Sequence, residues 1–268
     1  MAHQITSASN PLIKTLKSLH QKKGRAETGW FLAEGARLTR EAADLGVWPE
    51  VLVFSQAAVE REQVRTLLDE AEQRRVRTIE TTETVLAQIS KRDNPQTVIG
   101  AYRQRLAQLD DLQGDTIVAL DGVRDPGNLG TILRTADSTG AGGVVLLGES
   151  CDPFSVEAVR ASMGSLFAVP LARASFEELL RFKTARGASL MGASLKGASL
   201  DSELPAPPRA ILLMGNEQSG LPAHIEAACD LLVRIPMRGR ADSLNLAVAT
   251  AVMLYDLWRR RGYDGARA

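Results

Sequence analysis

The sequence predicts an α/β protein built from two unequal parts. From Thr116 onward, continuous apolar runs bounded by Gly, Pro and Asp alternate with helical segments, and such runs indicate strands that are covered on both faces. This pattern is typical of a parallel sheet flanked by helices. Residues 1–103 alternate short β-like runs with amphipathic helices, as in a small α/β domain. The polar segment Gln104–Asp115 between them is predicted to be a linker or a solvated helix.

The first part contains four predicted strands and three predicted helices. The strands are Gly29–Ala33, Val51–Ser55, Val76–Glu80 and Thr97–Tyr102. The helices are Pro11–His20, Gly35–Leu45 and Glu60–Gln73.

The second part, residues 116–268, contains six predicted strands and ends in an apolar helix. The strands are Thr116–Val123, Gly143–Leu147, Phe167–Leu171, Ser189–Gly192, Ala210–Met214 and Leu231–Ile235. The last helix, Leu244–Arg261, is apolar almost all round, so it must be buried. Its burial within its own domain and its burial in a homodimer interface both fit the pattern.

Composition limits the class of protein. With 44% apolar residues, the chain can build a full core, and its net charge of zero means that any anion-binding face must be local. No run of 18 apolar residues occurs, so we expect no membrane span. Two distant cysteines, Cys151 and Cys229, argue for a reducing cytosol and against disulfides. The three histidines are scattered, so no metal site is predicted.

The N-terminal segment is basic, with Lys14, Lys17, Lys22, Lys23 and Arg25. A transit peptide can have this composition. Apolar residues recur here at helical spacing, however, and this favours a short amphipathic helix that belongs to the fold. We therefore expect a cytoplasmic protein.

The first candidate site is the stretch Leu120–Ala136, where a strand is followed by a Gly/Pro/Asp loop and a helix opening near Asn128. A helix N-terminus suits an anion. Asn128 and Arg134 are six residues apart, close to two turns, so both are expected on the same side. The alternative is that Asn128 only caps the helix and Arg134 is a surface charge. Gly127 and Gly130 do not have the spacing of a dinucleotide fingerprint, which argues against an oxidoreductase.

Two further candidate segments lie near the C-terminus. Gly215 permits a tight turn after an apolar strand, and Glu217 could accept from a hydroxyl, act as a base, or cap a helix starting near Leu221. Ser243 and Asn245 stand at the start of the last helix, where Ser243 could be merely its N-cap.

Together, in this order, the three segments resemble the signature motifs of the SpoU (TrmH-type) RNA ribose 2′-O-methyltransferases. The matching patterns are Asn128-Leu-Gly-x3-Arg134, Gly215-Asn-Glu-x2-Gly220-Leu, and Ile235-Pro-Met-x5-Ser243-Leu-Asn245. The first part of the chain is similar to the family's RNA-binding domain through Ser9-Asn10-Pro11-x-Ile13-Lys14 and Phe31-Leu-Ala-Glu34-Gly35. The resemblance implies a C-terminal sheet tied in a trefoil knot and, typically, a homodimer.

The resemblance also implies a cofactor and site residues. S-adenosyl-L-methionine would lie against Gly215, Asn216, Ile235, Met237 and Leu244. Four polar residues would orient the ribose and the arginine, or shape the cofactor loop: Asn128, Glu217, Ser243 and Asn245.

Arg134 matches the arginine to which the family assigns the role of base. A guanidinium normally keeps its proton, so two readings stay open. Arg134 could grip a phosphate and stabilise the developing alkoxide, which leaves the proton to the phosphate, water or Glu217. Alternatively, an unusual environment lets Arg134 lose its proton and act as the base.

The expected substrate is RNA, because DNA has no 2′-hydroxyl. The N-terminal basic cluster, together with Arg238 and Arg240, is expected to contact phosphates, although a basic cluster can also be a solvated face. The separate N-terminal domain resembles that of the rRNA-modifying branch of the family, and this resemblance favours ribosomal RNA over tRNA. The alternatives are a tRNA ribose methyltransferase and a catalytically silent RNA-binding factor of the same fold.

Overall fold

The structure, a computed structural model, describes residues 3–200 and 206–266, which divide into two units. One unit contains the chain up to Arg105 together with Asp152–Ala168, and the other contains Leu106–Cys151 and the chain from Val169 onward. The segment predicted as a linker or solvated helix contains only a 3-10 turn, Leu109–Asp111. Leu112, which follows this turn, is fully buried in the core of the second unit.

The first unit is built on a mixed sheet. Among the described residues its strands are β1 (His3–Gln4), β2 (Trp30–Glu34), β3 (Val51–Ser55), β4 (Arg77–Thr81) and β5 (Val98–Arg103). Its first five helices are α1 (Pro11–Ser18), α2 (Lys22–Thr28), α3 (Ala36–Asp44), α4 (Glu62–Gln73) and α5 (Glu83–Ser90). The strand order is β1-β4-β3-β5-β2, with β5 antiparallel to both of its neighbours. The four predicted strands lie within one residue of β2 to β5, whereas α2 and α5 were not predicted.

Both faces of this sheet are covered, because successive side chains of a strand point to opposite faces. In β3, Val51 and Val53 join the cluster that contains residues of α1 and α5. The intervening Leu52 and Phe54 join a second cluster, with residues of α4. The continuous apolar run of β3 therefore reflects burial on both sides.

The second unit is built on a six-stranded parallel sheet. Its strands are β6 (Thr116–Asp121), β7 (Gly143–Leu147), β8 (Leu171–Ala174), β9 (Ser189–Ser199), β10 (Ala210–Met214) and β11 (Leu231–Arg234). The remaining described helices of the chain are α6 (Pro126–Ser138), α7 (Val156–Ser162), α8 (Ser165–Ala168), α9 (Phe176–Arg186), α10 (Ala223–Ala228) and α11 (Leu246–Arg260). The strand order is β11-β9-β10-β6-β7-β8, and every neighbouring pair is parallel. The predicted parallel sheet is confirmed.

One predicted strand of this part, Phe167–Leu171, is wrong. Phe167 lies within helix α8 and packs beside the buried residues of the first unit, and only Leu171 begins a strand. A short apolar run cannot distinguish a buried helix from a buried strand by its period, and Pro170 separates the two elements here.

Helices α7 and α8 belong to the first unit, where two ion pairs hold their segment. Arg25 donates to Asp152 at 2.6 Å, and Arg160 donates to Glu34 at 2.7 Å. The ring of Phe154 packs at a tilt against that of Phe31 in the same unit. A segment from the second half of the sequence therefore completes the first unit.

Helix α11 is partly buried in its own unit. Leu246, Met253, Leu254 and Leu257 are buried, and α11 packs against α6 and β10. Its other face leaves three apolar side chains 40–49% exposed at helical spacing: Val248, Val252 and Tyr255. Even α11, the longest described helix, is short for a bilayer, and no helix among the described residues is long and apolar enough to cross a membrane.

Candidate active site

The site lies at the carboxyl ends of the central strands of the parallel sheet. Leu120 of β6 and Met214 of β10 are direct neighbours, so the loops that follow them emerge side by side. The chain enters β7 on one side of β6 and β10 on the other, and such a switch of direction opens a crevice in which ligands bind. Asn216 joins the two loops, because its Nδ2 donates to the Gly122 carbonyl at 2.7 Å.

The loop after β10 closes on itself and requires a glycine at its start. The Gly220 N–H donates to the Asn216 carbonyl at 2.9 Å, and the Gln218 N–H donates to Asn216 Oδ1 at 2.9 Å. A Cβ at position 215 would lie 2.2 Å from the carbonyl carbon of Gly220. Gly215 is therefore needed for the close approach of two backbone segments.

Glu217 links this loop to the start of α6. Its carboxylate accepts from the N–H groups of Arg124 and Asp125 at 3.4 Å each, and from Asn128 Nδ2 at 3.2 Å. Helix α10, by contrast, begins only at Ala223 and receives no side-chain cap. The alternative in which Glu217 caps the helix after its own loop is therefore wrong.

Asn128 is not the cap of α6, and Ser243 is not the cap of α11. Asp125 caps α6 by accepting from the Asn128 N–H, and Asn245 caps α11 by accepting from the N–H groups of its first turn. Asn245 Nδ2 also donates to Asn128 Oδ1 at 2.9 Å. The structure thus joins residues of all three motifs in one chain of hydrogen bonds, Asn245 to Asn128 to Glu217.

Arg134 lies on α6 but outside this network. Six residues at 100° each leave it about 120° around the helix from Asn128, so the expectation that both face one side is wrong. Its side chain is exposed and makes no hydrogen bond or ion pair with any residue that the structure describes. The guanidinium is therefore available to a group from outside the chain.

A cavity of about 470 Å³ opens between the loop after β10, the segment after β11 and helix α11. All five residues predicted to contact the cofactor line it: Gly215, Asn216, Ile235, Met237 and Leu244. Glu217 and Ser243 line it as well, whereas Asn128, Arg134 and Asn245 do not. Leu246, Ala249 and Met253 make much of the α11 wall apolar.

Three polar residues that were not predicted from the sequence form a hydrogen-bonded cluster at one side of this cavity. Ser194 Oγ donates to Glu226 at 2.6 Å and Lys196 Nζ at 2.7 Å, and all three residues line the cavity. The hydrogen bond from Lys196, and then that from Ser194, hold the pKa of Glu226 below its usual value. The only sequence signal here was the Gly/Ala/Ser-rich composition of the stretch 187–200, which has no specific chemistry.

The carboxylate at the end of β6 has a different environment. Burial raises the pKa of Asp121, and the nearby His224 partly opposes that shift. Within the described part of the chain, no three His, Cys, Asp or Glu side chains are grouped so that they could hold a metal ion.

The predicted RNA-binding residues have different surroundings. Lys14, Lys22 and Lys23 are exposed, whereas Lys17 is half-buried and donates to Gln88. Arg25 is only 4% exposed, because it pairs with Asp152 and donates to the Leu19 carbonyl. Its charge is committed inside the first unit, so Arg25 is not an RNA-binding residue. Arg238 and Arg240 are exposed in the segment between β11 and α11.

Comparisons with known proteins agree with this geometry. Residues 115–255 match the SpoU rRNA Methylase family, and residues 10–100 match the MRM3-like substrate binding domain. The chain is 31% identical to the 23S rRNA (guanosine(2553)-2'-O)-methyltransferase RlmP of Bacillus subtilis, over 95% of this chain and 98% of that protein. It is 30% identical to the 23S rRNA (uridine(2479)-2'-O)-methyltransferase of Streptomyces viridochromogenes, over 97% and 93% of the two chains.

Solved structures give the same result. An AdoMet-bound rRNA methyltransferase from Sinorhizobium meliloti superposes with a TM-score of 0.88 at 46% identity, covering 96% of this chain and 98% of the other. The SpoU methyltransferase AviRb from Streptomyces viridochromogenes, in complex with AdoMet, superposes with a TM-score of 0.84 at 30% identity, covering 96% of this chain and 100% of the other.

Proposed function

Because this chain belongs to the SpoU rRNA methylase family, we propose that it transfers a methyl group from S-adenosylmethionine to a ribose 2′-hydroxyl of ribosomal RNA. The hydrogen-bonded path Asn245–Asn128–Glu217 beside the 470 Å³ cavity carries this proposal, because it unites the three motifs at one cavity. Two relatives that match almost the full chain are named for 2'-O-methylation of 23S rRNA, which favours ribosomal RNA over tRNA.

The cavity fits the cofactor in size and lining. Its volume is within the usual range for small-molecule sites, and its walls combine apolar side chains with polar groups and backbone from the Gly215 loop. When bound, S-adenosylmethionine supplies an activated methyl group on its sulfonium. It would be held by Gly215, Asn216, Ile235, Met237 and Leu244. The absence of a Cβ at Gly215 lets the loop keep its closed, hydrogen-bonded conformation.

The asparagines and Glu217 act by positioning. Each Asn128 amide atom is used, with Oδ1 accepting from Asn245 and Nδ2 donating to Glu217, so the orientation of that side chain is determined. Glu217 is in turn held by two backbone N–H groups. Ser243, whose side chain makes no hydrogen bond within the described residues, keeps its hydroxyl available for the ribose or the cofactor loop. Fixed groups of this kind lower the barrier by aligning the reacting atoms.

Arg134 has the chemistry to bind the phosphate next to the methylated ribose. Its exposed guanidinium offers paired N–H donors that match two phosphate oxygens, and its charge stabilises a developing alkoxide. The 2′-hydroxyl proton then leaves to the phosphate, water or Glu217. Further phosphates would be contacted by the half-buried Lys17 and by five exposed basic residues: Lys14, Lys22, Lys23, Arg238 and Arg240.

The exposed apolar stripe of α11 supports a homodimer. Val248, Val252 and Tyr255 form a contiguous face of the kind that oligomers bury. We include in the proposal a dimer that uses this face, a cytoplasmic location, and a trefoil knot in the second unit. Strand β10 lies between β6 and β9, both of which precede it in sequence, and β11 then lies on the other side of β9. This strand order supports the knot. Val252→Asp should shift the sedimentation of the protein toward that of a monomer.

Incubation of the protein with ribosomal RNA, tRNA and labelled S-adenosylmethionine, followed by mass analysis of the nucleosides, tests the reaction. We expect a 2′-O-methylated nucleoside from ribosomal RNA alone. A product on tRNA only would change the substrate, and no product on either RNA would favour a silent RNA-binding factor.

Arg134→Ala should abolish methylation and leave the affinity for S-adenosylhomocysteine nearly intact. If its activity survives unchanged, the role given to Arg134 is wrong.

A further inference from the structure

The first unit contains a second large cavity, which belongs to none of the three motifs. It has a volume of about 790 Å³ and lies between helix α5, the loop from Lys91 to Thr97, and Ser55 at the end of β3. Two carboxylates, Glu83 and Asp93, and two cations, Lys91 and Arg92, line it, so the charges of its lining balance. Hydroxyl and amide side chains make up most of the rest, including Thr84, Gln88, Asn94 and Gln96.

Several polar side chains of this cavity are not used by the fold. Lys91, Arg92, Asn94 and Gln96 form no side-chain hydrogen bond or ion pair with any residue in the described ranges. Elsewhere in the same unit, by contrast, Arg40 pairs with Asp44 and Glu70. Hydrogen-bond donors and acceptors therefore line the cavity without partners among the described residues.

Ser55 is an independent indication of a ligand. The residue is 2% exposed, and its hydroxyl has no hydrogen-bond partner in the part of the chain that the structure describes. An unsatisfied buried hydroxyl is costly, so such a group is normally paired with a ligand or water. Because Ser55 lines the cavity, a polar atom of a bound molecule can pair with it.

The backbone of Lys91 supports the same conclusion. Lys91 ends α5 in the left-handed conformation, with φ +53°, where glycine is favoured over any residue with a side chain. A cation therefore lines the cavity although glycine would suit the local backbone better. Lys17 of α1, which donates to Gln88, adds a third positive charge beside the cavity.

We propose that this cavity binds one unpaired nucleotide of the RNA substrate, at a place separate from the methylated nucleotide. The base enters the cavity, where amides, hydroxyls and carboxylates can pair with its donor and acceptor edges. Its phosphates lie at Lys91 and Arg92, whose positive charges attract them. The inference rests on the proposed RNA methylation, and it makes the first unit a reader of an exposed base as well as a phosphate-binding surface.

Two variants separate binding from folding. Lys91→Gly removes the cation and relieves the left-handed backbone, and Ser55→Ala removes the unpaired hydroxyl, so neither should lower the Tm. Arg77→Ala is the matched control, because Arg77 is exposed at the opposite end of the sheet, in register with Val51 rather than Ser55. Each full-length protein is titrated with a 23S rRNA transcript at several salt concentrations, and its KM, kcat and S-adenosylhomocysteine affinity are measured.

We expect Lys91→Gly and Ser55→Ala to weaken RNA binding and raise KM by roughly fivefold to tenfold, with kcat and cofactor affinity unchanged. The slope of the logarithm of the RNA-binding constant against the logarithm of the salt concentration should become smaller in magnitude by about one for Lys91→Gly and stay constant for Ser55→Ala. Binding within twofold of wild type for both variants, from an enzyme that methylates RNA, would overturn this inference and leave the proposed function intact. A wild-type protein that neither binds nor methylates RNA would overturn both. Tight binding of free nucleoside monophosphates, lost in the variants while RNA binding persists, would make the cavity a metabolite site instead.

Discussion

Asn245 Nδ2 donates a hydrogen bond of 2.9 Å to Asn128 Oδ1, across 117 residues of sequence. The same Asn245 side chain caps α11 by accepting from the N–H groups of Ala247 and Val248. One side chain therefore both starts the helix that walls the cofactor cavity and orients the asparagine that holds Glu217.

These two tasks of Asn245 can be separated by substitution. Asn245→Ser keeps a side-chain oxygen that can cap α11 but loses the donor to Asn128, whereas Asn245→Ala loses both. We expect both variants to lose methylation, and only the Ala variant to lose about 1 kcal/mol of unfolding free energy in urea. A Ser variant with full activity would show that the bond to Asn128 is dispensable.

Gly215→Ala should weaken cofactor binding. The new Cβ would overlap the backbone of Gly220 and Leu221, so the loop must open, and this strain should cost about 1–3 kcal/mol of stability. Gly239→Ala is the control, because nothing lies within 4 Å of a Cβ at that position. Calorimetry with S-adenosylhomocysteine should show an affinity at least roughly tenfold weaker for Gly215→Ala alone. Equal affinities would mean that the loop tolerates the methyl group.

The buried pair of Arg25 and Asp152 should matter for stability. Asp152→Asn leaves a guanidinium that is only 4% exposed without its counter-charge, so we expect a loss of about 3–5 kcal/mol of unfolding free energy. The pair of Lys23 and Glu27 is the comparison, because both side chains are mostly exposed. Glu27→Gln should leave the urea midpoint unchanged. A midpoint for Asp152→Asn close to that of wild type would argue against this account of Arg25.

Cys229 should be unreactive in the folded protein. Burial, with the nearby charge of Asp230, raises the pKa of its thiol to about 11, so at pH 8 only about one thiol in a thousand is ionised. Iodoacetamide should label Cys229 slowly in the native protein and rapidly in urea, where the pKa returns to its ordinary value. Because the folded pKa is raised, the native rate should increase as the pH approaches 11. Mass spectrometry of the tryptic peptide measures both rates, and equal native and denatured labelling at pH 8 would contradict the buried environment.

The strands that are buried on both faces were predictable from the sequence. Val51–Ser55, Gly143–Leu147 and Ala210–Met214 have the predicted bounds, because continuous apolar runs of five residues suit few other structures. The run Phe167–Leu171 was misread, since its first residue packs in one unit and its last in the other. Helix α2 contains one apolar residue, Ala26, and α5 spans only eight residues, so neither is long enough and apolar enough to show a helical period clearly.

The candidate site was predictable where a motif specifies backbone geometry. All five residues that the resemblance assigned to the cofactor line the cavity beside α11. The resemblance did not identify Ser194, Lys196 or Glu226, which face the same cavity but come from segments without a recognisable spacing. The basic character of the N-terminal segment led to the prediction that Arg25 binds RNA, because a sequence cannot show that a distant Asp152 pairs with it.

The order of apolar and polar residues along the chain, by itself, determined the parallel sheet, the start of each motif and the need to bury the last helix. The tertiary structure decided which polar groups have partners: Asp125 rather than Asn128 caps α6, Asn245 rather than Ser243 caps α11, and Ser55 has none among the described residues. The physical reason is separation along the chain. Hydrophobic periodicity is a pattern within one segment, whereas a hydrogen bond or an ion pair depends on ångström-scale contacts between residues far apart in the chain.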